Sequence, residues 1–364
     1  MEYVQERVTT LHDFGDATPT APTGRTTVVV PMTERDHASL AAERVLAALE
    51  RVDPKRVVVA LRATATEVGD VVSWVSEFDI DAEVLWCTAP RVESLLADAG
   101  LDGNAGKGRD VWLALGVAAD SEYVVVHDAD AKTYTEAHVP KLLFPLANGH
   151  EFSKGYYARV ENNRLYGRLF RLFYAPLVRA LDALYDDAIV DYFDAFRYGL
   201  AGEFAVTGDV ARQVRAQRSW GLEVGTLGEA FRLVGFERSA QVDLGVHEHD
   251  HRSVGGPQGL GDMCREVGSA LFRALADAGV DPSYDDLATE YCTQAERLVD
   301  QYAADAGFNG LTHDRAAERQ QVDTYVEAIE PPAEDCRLPA WVDTPLSPAD
   351  VLDRSRAAIA DATE

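Results

Sequence analysis

The sequence predicts an α/β protein with a mostly parallel β-sheet flanked by helices, followed by a helical C-terminal extension. The first observation is that apolar, β-branched runs alternate with helical patterns at the spacing of β-α-β units. The second is a buried-strand pattern at residues 124–126 that ends abruptly in two aspartates. The third is a helical pattern over residues 259–330. A chain of 364 residues, 47% of them hydrophobic, can form one large α/β domain with additions, or two domains.

The predicted elements follow one another in a regular order. Residues 1–25 end in a stretch rich in Pro, Thr and Gly and are interpreted as an N-terminal arm. Strands are predicted at 26–32, 56–61 and 82–87, and helices at 38–50, 65–75 and 92–99. Because β-α-β crossovers are right-handed, the loops that follow these strands are expected along one edge of the sheet.

A lysine flanked by glycines opens the helix that leads into the buried strand. The segment 104–110 reads Asn-Ala-Gly-Lys-Gly-Arg-Asp, and the helix is predicted to run to about residue 119. Backbone N–H groups at a helix start, together with Lys107 and Arg109, attract phosphate. The chain has five lysines, so the position of Lys107 between two glycines favours a phosphate-binding role over an incidental place in a flexible loop.

The two aspartates after the buried strand are a candidate metal site. Asp128 and Asp130 lie at the carboxyl end of a predicted parallel strand, where open α/β sheets bind ligands. Two such carboxylates can hold Mg2+ or Mn2+ through oxygen, and the cation can hold a diphosphate. The alternative is a pair of solvated acids at a strand-to-turn junction.

The second half of the chain supplies further candidates. A helix at 136–146 leads to a strand at 151–160 that contains Lys154, and an arginine-rich amphipathic stretch follows at 164–179. Its arginines could line an anion pocket or form an ordinary solvated face. An apolar strand at 241–246 ends in the alternating histidines His247, His249 and His251, which share one side of an extended segment. One of them could complete a metal site begun by the aspartates; unligated loop histidines are the alternative.

Charge and cysteine content restrict the class of partner. The formal charge of −27 argues against nucleic acid and anionic membranes as partners, because both would be repelled. An acid-rich, lysine-poor composition is typical of a halophilic protein, whose self-repulsion is screened at molar salt, where the Debye length is about 3 Å. Four scattered cysteines and the lack of an apolar run of about 20 residues predict a cytoplasmic protein without disulfides or membrane insertion.

Missing glycine motifs remove several nucleotide-binding classes. No Gly-x-Gly-x-x-Gly follows the first strand, and no Gly-x-x-x-x-Gly-Lys-Ser/Thr occurs, so neither a dinucleotide-binding domain nor a P-loop is predicted. A sugar nucleotidylyltransferase would carry a glycine-rich loop after that strand, where residues 31–34 read Pro-Met-Thr-Glu.

Six motifs, in their order and spacing, resemble the retaining GT-A glycosyltransferases of the glucosyl-3-phosphoglycerate synthase family over about residues 106–249. They are Gly106-Lys107-Gly108, the Asp128 and Asp130 pair, Ser153 to Arg159, Gly199 to Ala205, Ser219 to Gly225, and Ala240 to His249 with His247 in place of an arginine. A weaker resemblance covers the first strands. The expected fold is therefore GT-A, a Rossmann-like nucleotide-diphospho-sugar transferase fold.

The resemblance implies a metal-dependent transfer of a hexose, glucose first among them, from a nucleotide diphosphate sugar to a small acidic acceptor such as 3-phosphoglycerate. The implied metal contacts are Asp128, Asp130 and His249. The implied donor contacts are Pro31, Glu34, Lys107, Asp128, Ala129 and Asp130. The implied acceptor contacts are Lys154, Arg168, Glu203 and Glu223, and the implied catalytic residues are Lys107, Asp130 and Glu223. A metal and Lys107 would neutralise the leaving diphosphate. No nucleophile is assigned, and a homodimer is expected.

The sequence departs from the family at two loops. In the acceptor loop, Phe170 stands for a threonine and Ala175 for an arginine. After the second strand, residues 61–64 read Leu-Arg-Ala-Thr where the family has an aspartate near the nucleobase. A uracil or guanine donor, another acceptor (a sugar, a lipid carrier or a protein), and a non-catalytic nucleotide-sugar-binding homologue therefore remain open.

These patterns divide the chain into four predicted parts: an arm at 1–25, a GT-A domain at 26–255, a helical region at 256–330 packed on it, and a tail at 331–364 with a terminal helix. Within the GT-A domain the donor half is expected at about 26–135 and the acceptor half at about 136–255. The terminal helix, predicted at 348–360, is interpreted as a packing or oligomer element.

Overall fold

The computed structural model of the chain describes residues 4–250 and 256–364. Between residues 9 and 126, strands and helices alternate as the sequence predicts. The elements are β1 (Thr9–Leu11), β2 (Thr26–Thr33), α1 (Leu40–Val52), β3 (Arg56–Arg62), α2 (Val68–Val75), β4 (Ala82–Trp86), α3 (Pro90–Asp98), α4 (Lys107–Ala118) and β5 (Tyr123–Val126).

Residues 138–246 add three strands to the same sheet and a short hairpin outside it. Its elements are α5 (His138–Ala147), β6 (Phe152–Ala158), β7 (Val160–Glu161), β8 (Arg164–Leu165), a π-helix (Phe170–Tyr174), α6 (Ala175–Leu184), α7 (Ala188–Asp194), β9 (Phe204–Thr207), α8 (Gly208–Gln213), α9 (Leu222–Leu233) and β10 (Ser239–Val246). The C-terminal helices are α10 (Gly256–Asp277), α11 (Tyr284–Phe308), α12 (Arg315–Tyr325) and α13 (Pro348–Thr363).

Eight strands form one sheet in the order β1-β10-β6-β9-β5-β2-β3-β4. All described neighbours pair in parallel except β9, which runs antiparallel between β6 and β5. This confirms the predicted mostly parallel α/β sheet. Because β9 runs the opposite way, its amino-terminal end lies at the sheet edge where β5, β6 and β10 have their carboxyl ends.

The sheet and helix α4 form the centre of the core. The apolar runs in β2, β3 and β5 are buried on both faces, which explains why they read as continuous rather than alternating patterns. Helix α4 packs against β2 and β3 and is buried from Gly108 to Ala118. On its far side Trp112 stacks on Trp341 from the C-terminal tail, with ring centroids 4.8 Å apart. The tail is therefore part of the core.

The terminal helix α13 covers the edge of the sheet. It packs on β4, α3 and α4, and the Ser355 hydroxyl accepts a 2.8 Å hydrogen bond from the backbone N–H of Trp86 in β4. An edge strand with unpaired backbone groups would otherwise be open to pairing with another chain. Within the structure, α13 thus acts as a packing element.

Two strands of the eight-stranded sheet were not predicted from the sequence. Strand β1 lies within the segment interpreted as an N-terminal arm and pairs with β10. Strand β9 lies in a stretch for which no strand was predicted. The arginine-rich segment, predicted as one amphipathic stretch, instead forms β8, the π-helix and α6. Among the described helices, none is long and apolar enough to cross a membrane.

Candidate functional site

Chemical groups from three strands converge at one edge of the sheet. Asp128 and Asp130 follow β5, and His247 and His249 follow β10. Glu203 precedes β9, whose antiparallel direction brings its start to the same edge. The side chains therefore meet where parallel α/β sheets bind ligands.

Backbone pairing holds the histidine segment against the two aspartates. Ala131 and His249 form an antiparallel bridge. On either side of it, the Lys132 N–H donates to the carbonyl of Glu248 at 2.7 Å, and the Asp250 N–H donates to the carbonyl of Asp130 at 2.7 Å. These bonds fix the position of His249 relative to the loop after β5.

The ligand atoms of Asp128, Asp130 and His249 lie within 4.8 Å of one another. Asp130 Oδ1 is buried, and among the described residues it has no hydrogen-bond partner. Burial, with the charge of Asp128 added to it, raises the pKa of Asp130 to about 7. A divalent cation would reduce the repulsion between the two carboxylates and would give Asp130 Oδ1 a partner. Two carboxylates with one imidazole suit Mg2+ or Mn2+. The residues present therefore fit the metal that the sequence predicts.

Lys107 joins the aspartates to Glu223 at the start of α9. Its ammonium lies 2.7 Å from Asp128 Oδ1 and 3.0 Å from Glu223 Oε1. Burial works to lower the pKa of Lys107, but the two carboxylates raise it well above its ordinary value. Burial likewise works to raise the pKa of Asp128, and the Lys107 charge lowers it. Lys107 is therefore a fixed positive charge.

The glycines beside Lys107 permit a close approach of two chain segments. A Cβ on Gly108 would lie 1.9 Å from the carbonyl oxygen of Gln217, and one on Gly106 would lie 2.6 Å from that of Arg218. The Arg109 N–H donates to the same Arg218 carbonyl at 2.9 Å. The start of α4 is thus locked to the segment that precedes α9.

Gly202 and Lys154 shape the region around Glu203. A Cβ on Gly202 would lie 2.7 Å from Asp128 Oδ2, so glycine allows the carboxylate to pack against this turn. Lys154 is completely buried, and its ammonium donates to the carbonyl of Ala201 at 2.7 Å. Burial lowers the pKa of Lys154 to about 8. Lys154 and Glu203 are both buried, and their contacts with an acceptor stay a prediction.

Arg168 is exposed just before the π-helix. Two residues later, Phe170 packs on Tyr198 and Tyr174, with ring centroids 4.6 and 5.7 Å apart. Arg159, at the end of β6, also contacts the Tyr198 hydroxyl. A largely buried aromatic cluster therefore lies next to the predicted acceptor residue Arg168.

The remaining predicted donor residues lie in β2 and after the carboxyl ends of β2 and β5. Pro31 is half-buried in β2 opposite Ala60, and Ala129 is buried between the aspartates. Glu34 accepts a 2.7 Å hydrogen bond from the Thr64 N–H, so it ties this loop to the one after β3. Their contacts with a donor stay a prediction.

Sequence reasoning missed the pairing of Glu203 with His247. Glu203 Oε1 lies 3.6 Å from His247 Nε2, and the Tyr157 ring stacks on the imidazole at 4.2 Å. The alternating histidines were a signal for His247, whereas the position of Glu203 depends on the unpredicted strand β9. His251 lies outside the described residues.

The chain is similar to several named proteins, although no family model matches it. It is 32% identical to the glucosyl-3-phosphoglycerate synthase of Methanococcoides burtonii over all of this chain and 99% of that protein. It is 37% identical to the enzyme of the same name from Persephonella marina over 74% of this chain and 71% of that protein.

Solved structures with the same architecture come from Mycobacterium tuberculosis. The glucosyl-3-phosphoglycerate synthase solved with Mn2+, uridine diphosphate and phosphoglyceric acid matches with a TM-score of 0.57 at 24% identity, covering 76% of this chain and 88% of that one. A second structure of that enzyme, with Mg2+ and uridine diphosphate, matches over the same shares with a TM-score of 0.57.

The fold and the convergence of acidic, basic and imidazole groups at the sheet edge define a glycosyltransferase of the GT-A class. Within that class, the match to the Methanococcoides burtonii protein, at 32% identity over the whole chain, identifies one family. The chain belongs to the glucosyl-3-phosphoglycerate synthase family.

Proposed function

We propose that the chain transfers glucose from UDP-glucose to 3-phosphoglycerate with retention of anomeric configuration. The observation that carries this proposal is the meeting of Asp128, Asp130 and His249 with the Lys107–Glu223 pair at one sheet edge. One relative matched over the whole chain and another matched over 74% of it bear the name of that activity. The mycobacterial enzyme was solved with UDP-glucose and phosphoglyceric acid.

The proposed metal ligands are Asp128, Asp130 and His249, for Mg2+ or Mn2+. When bound, the cation neutralises charge on the diphosphate and so makes it a better leaving group. Lys107 adds a second positive charge beside the first, because its ammonium lies against Asp128. Glu223, on the other side of Lys107, is proposed to accept a hydrogen bond from a sugar or acceptor hydroxyl and so to orient it.

The proposed acceptor contact is Arg168. Its guanidinium is exposed and permanently charged, which suits a phosphate group. Pro31, Glu34 and Ala129 are proposed as donor contacts, because Pro31 lies near the carboxyl end of β2 and the other two follow β2 and β5.

Turnover by the purified chain tests the proposal directly. In molar KCl with Mn2+, UDP release from UDP-glucose is expected to require 3-phosphoglycerate, and NMR of the product is expected to show a retained α-anomer. Asp130→Ala should lower turnover at least 100-fold, whereas Asp79→Ala, at an exposed site, should not. Undiminished turnover by Asp130→Ala, or turnover without a divalent cation, would contradict the proposed site.

Thermal stability in the same buffer identifies the donor independently of the acceptor. UDP-glucose, GDP-glucose, GDP-mannose and UDP are compared with and without Mn2+. A ligand at 100 times its dissociation constant adds about 2.7 kcal/mol of stability. A metal-dependent shift is expected with the uridine nucleotides, and a larger one with a guanosine nucleotide would assign the other base.

We also propose a cytoplasmic, halophilic homodimer. All four cysteines are free thiols, which suits a reducing compartment. An excess of acidic residues suits a salt-rich cytoplasm. Phe308 at the end of α11 is 90% exposed and offers an apolar contact for a second copy. Light scattering on the protein as it elutes from a size-exclusion column in 2 M KCl should give twice the mass of the chain.

A further inference from the structure

A second group of possible metal ligands lies beside the first and shares one residue with it. The group consists of Glu203, His247 and His249, whose ligand atoms lie within 4.8 Å of one another. The first group, Asp128, Asp130 and His249, offers two carboxylates and one imidazole. The second offers two imidazoles and one carboxylate.

The two residues that distinguish the second group are buried without hydrogen bonds. Glu203 is 1% exposed and His247 is fully buried. Within the described part of the chain, neither oxygen of Glu203 and neither ring nitrogen of His247 has a hydrogen-bond partner. Their closest atoms are 3.6 Å apart, which is beyond an ordinary hydrogen bond. Buried polar groups normally have partners, so these four atoms are available to coordinate an ion.

The protein holds the backbone of both residues and the His247 ring in place. The Gly155 N–H donates to the Glu203 carbonyl at 2.9 Å, and the His247 N–H donates to the Ala158 carbonyl at 2.9 Å. The Tyr157 ring lies nearly parallel to the His247 imidazole, at an interplanar angle of 17°. The positions of both main-chain segments and the orientation of the imidazole are therefore set before any ion binds.

The local charge balance leaves room for one divalent cation. The described side chains at this edge include the carboxylates of Asp128, Asp130, Glu203 and Glu223 and the ammonium groups of Lys107 and Lys154. The buried carboxylate of Glu161, which accepts a 3.0 Å hydrogen bond from the His249 N–H, adds a further acid beside them. Negative groups therefore outnumber positive ones here, which favours a bound cation in either ligand group.

We propose that Glu203, His247 and His249 form a second, nitrogen-rich metal site that binds Zn2+, and that occupation of this site excludes Mg2+ or Mn2+ from the first. Zn2+ prefers imidazole and carboxylate in sets of three protein ligands with an open fourth position. Ligand atoms around Zn2+ lie roughly 3.4 Å apart, so small side-chain rotations complete the geometry. Mg2+ and Mn2+ prefer the oxygen-rich group. Exclusion follows because both sites need His249.

Direct zinc binding to the metal-free full chain tests the site without nucleotide or turnover. Wild type is expected to bind one Zn2+ per chain, measured by elemental analysis and by competition with a chromogenic zinc indicator. His247→Ala should weaken zinc binding at least tenfold, and Asp130→Ala should leave it within threefold. Manganese binding, followed by the EPR signal of free Mn2+, should show the opposite order.

His313→Ala is a matched control for the removal of a histidine beside a glutamate. His313 Nε2 lies 3.4 Å from Glu318, whose other oxygen accepts a hydrogen bond from Arg171. Its zinc affinity should equal that of wild type. If His247→Ala does not fold, His247→Gln is used, and Co2+ absorption between 500 and 650 nm reports whether nitrogen ligands are lost. Zinc affinity unchanged in the folded His247 variant would overturn the site, as would its loss in Asp130→Ala.

The exclusion of one ion by the other rests on the proposed Mg2+ or Mn2+ site and is tested separately. In mixed titrations, the apparent affinity for Zn2+ should fall in proportion to the Mn2+ concentration. Simultaneous binding of both ions would overturn the exclusion. A different outcome would count against the proposed function instead: zinc binding as expected, but Mn2+ binding by Asp130→Ala that equals that of wild type.

Discussion

Phe170 determines the surface next to the exposed Arg168. Its ring packs on the rings of Tyr198 and Tyr174, and these contacts fix the orientation of the side chain. The acceptor loop of the family has a threonine at this position, whose hydroxyl can donate to a phosphate. At the scale of single residues, this substitution is therefore the clearest difference that bears on the acceptor.

Phe170→Thr is expected to raise kcat/KM for 3-phosphoglycerate about tenfold. A hydrogen bond to a charged group contributes about 1.5–3 kcal/mol, which covers a change of this size. Steady-state kinetics with UDP-glucose held constant give the measurement. Phe170→Ala is the matched control, since it removes the ring without supplying a hydroxyl. Equal kinetics for the two variants would show that the hydroxyl has no role, and a fall in both would mean that the ring itself contacts the acceptor.

The role of the glycines around Lys107 could be predicted only in part from the sequence. The Gly-Lys-Gly pattern was interpreted as a phosphate-binding helix start. In the structure, Gly106 and Gly108 allow the start of α4 to touch the segment 217–219, and a Cβ at either position would meet backbone atoms. A sequence shows that a glycine is present, but the segment that approaches it comes from more than 100 residues away.

At the scale of elements, strands with runs of β-branched apolar residues were predictable and two strands without them were not. The valine-rich runs in β2, β3 and β5 encode burial locally, so their positions follow from the sequence. Strand β1 reads Thr-Thr-Leu and β9 reads Phe-Ala-Val-Thr, and neither contains such a run. The consequence reaches the candidate site, because Glu203 is brought to the sheet edge by the antiparallel direction of β9.

The N-terminal segment after β1 is tied to helix α5 through Asp13. Its carboxylate accepts hydrogen bonds from the backbone of Gly15 and Ala17, each at 3.0 Å, and from the Lys141 ammonium at 2.6 Å. Burial works to raise the pKa of Asp13, but these bonds and the lysine charge lower it to about 2. The carboxylate therefore stabilises the folded state in its charged form.

Asp13→Asn is expected to lower the free energy of unfolding by about 2 kcal/mol at pH 7, since one pKa unit corresponds to about 1.4 kcal/mol. The folded pKa lies below the unfolded one, so this stability is present above pH 4 and is lost as the pH falls from about 4 to 2. Urea unfolding at several pH values should show the two proteins converging in acid. Asp16→Asn, exposed in the same segment, is the control, and an equal loss there would contradict the role of Asp13.

At the scale of the whole molecule, acidic residues outnumber basic ones by 61 to 34. At least 27 carboxylates therefore have no basic counterpart anywhere in the chain. Ion pairs such as Arg91–Asp361 and Arg25–Glu122 lie on exposed surface, where a single pair contributes little. Repulsion among the remaining acids thus opposes the compact state unless salt screens it.

The melting temperature is expected to rise by at least about 5 °C between 0.1 and 2 M KCl, because the Debye length falls from about 10 Å to below 3 Å over that range. Differential scanning calorimetry gives the measurement. General salt effects on the hydrophobic core are separated from screening by repeating it near pH 4.6, the isoelectric point of the sequence, where net repulsion vanishes. The rise should be much smaller there. An equal rise at both pH values would assign the effect to the core, and the acidic surface would then have no part in stability at high salt.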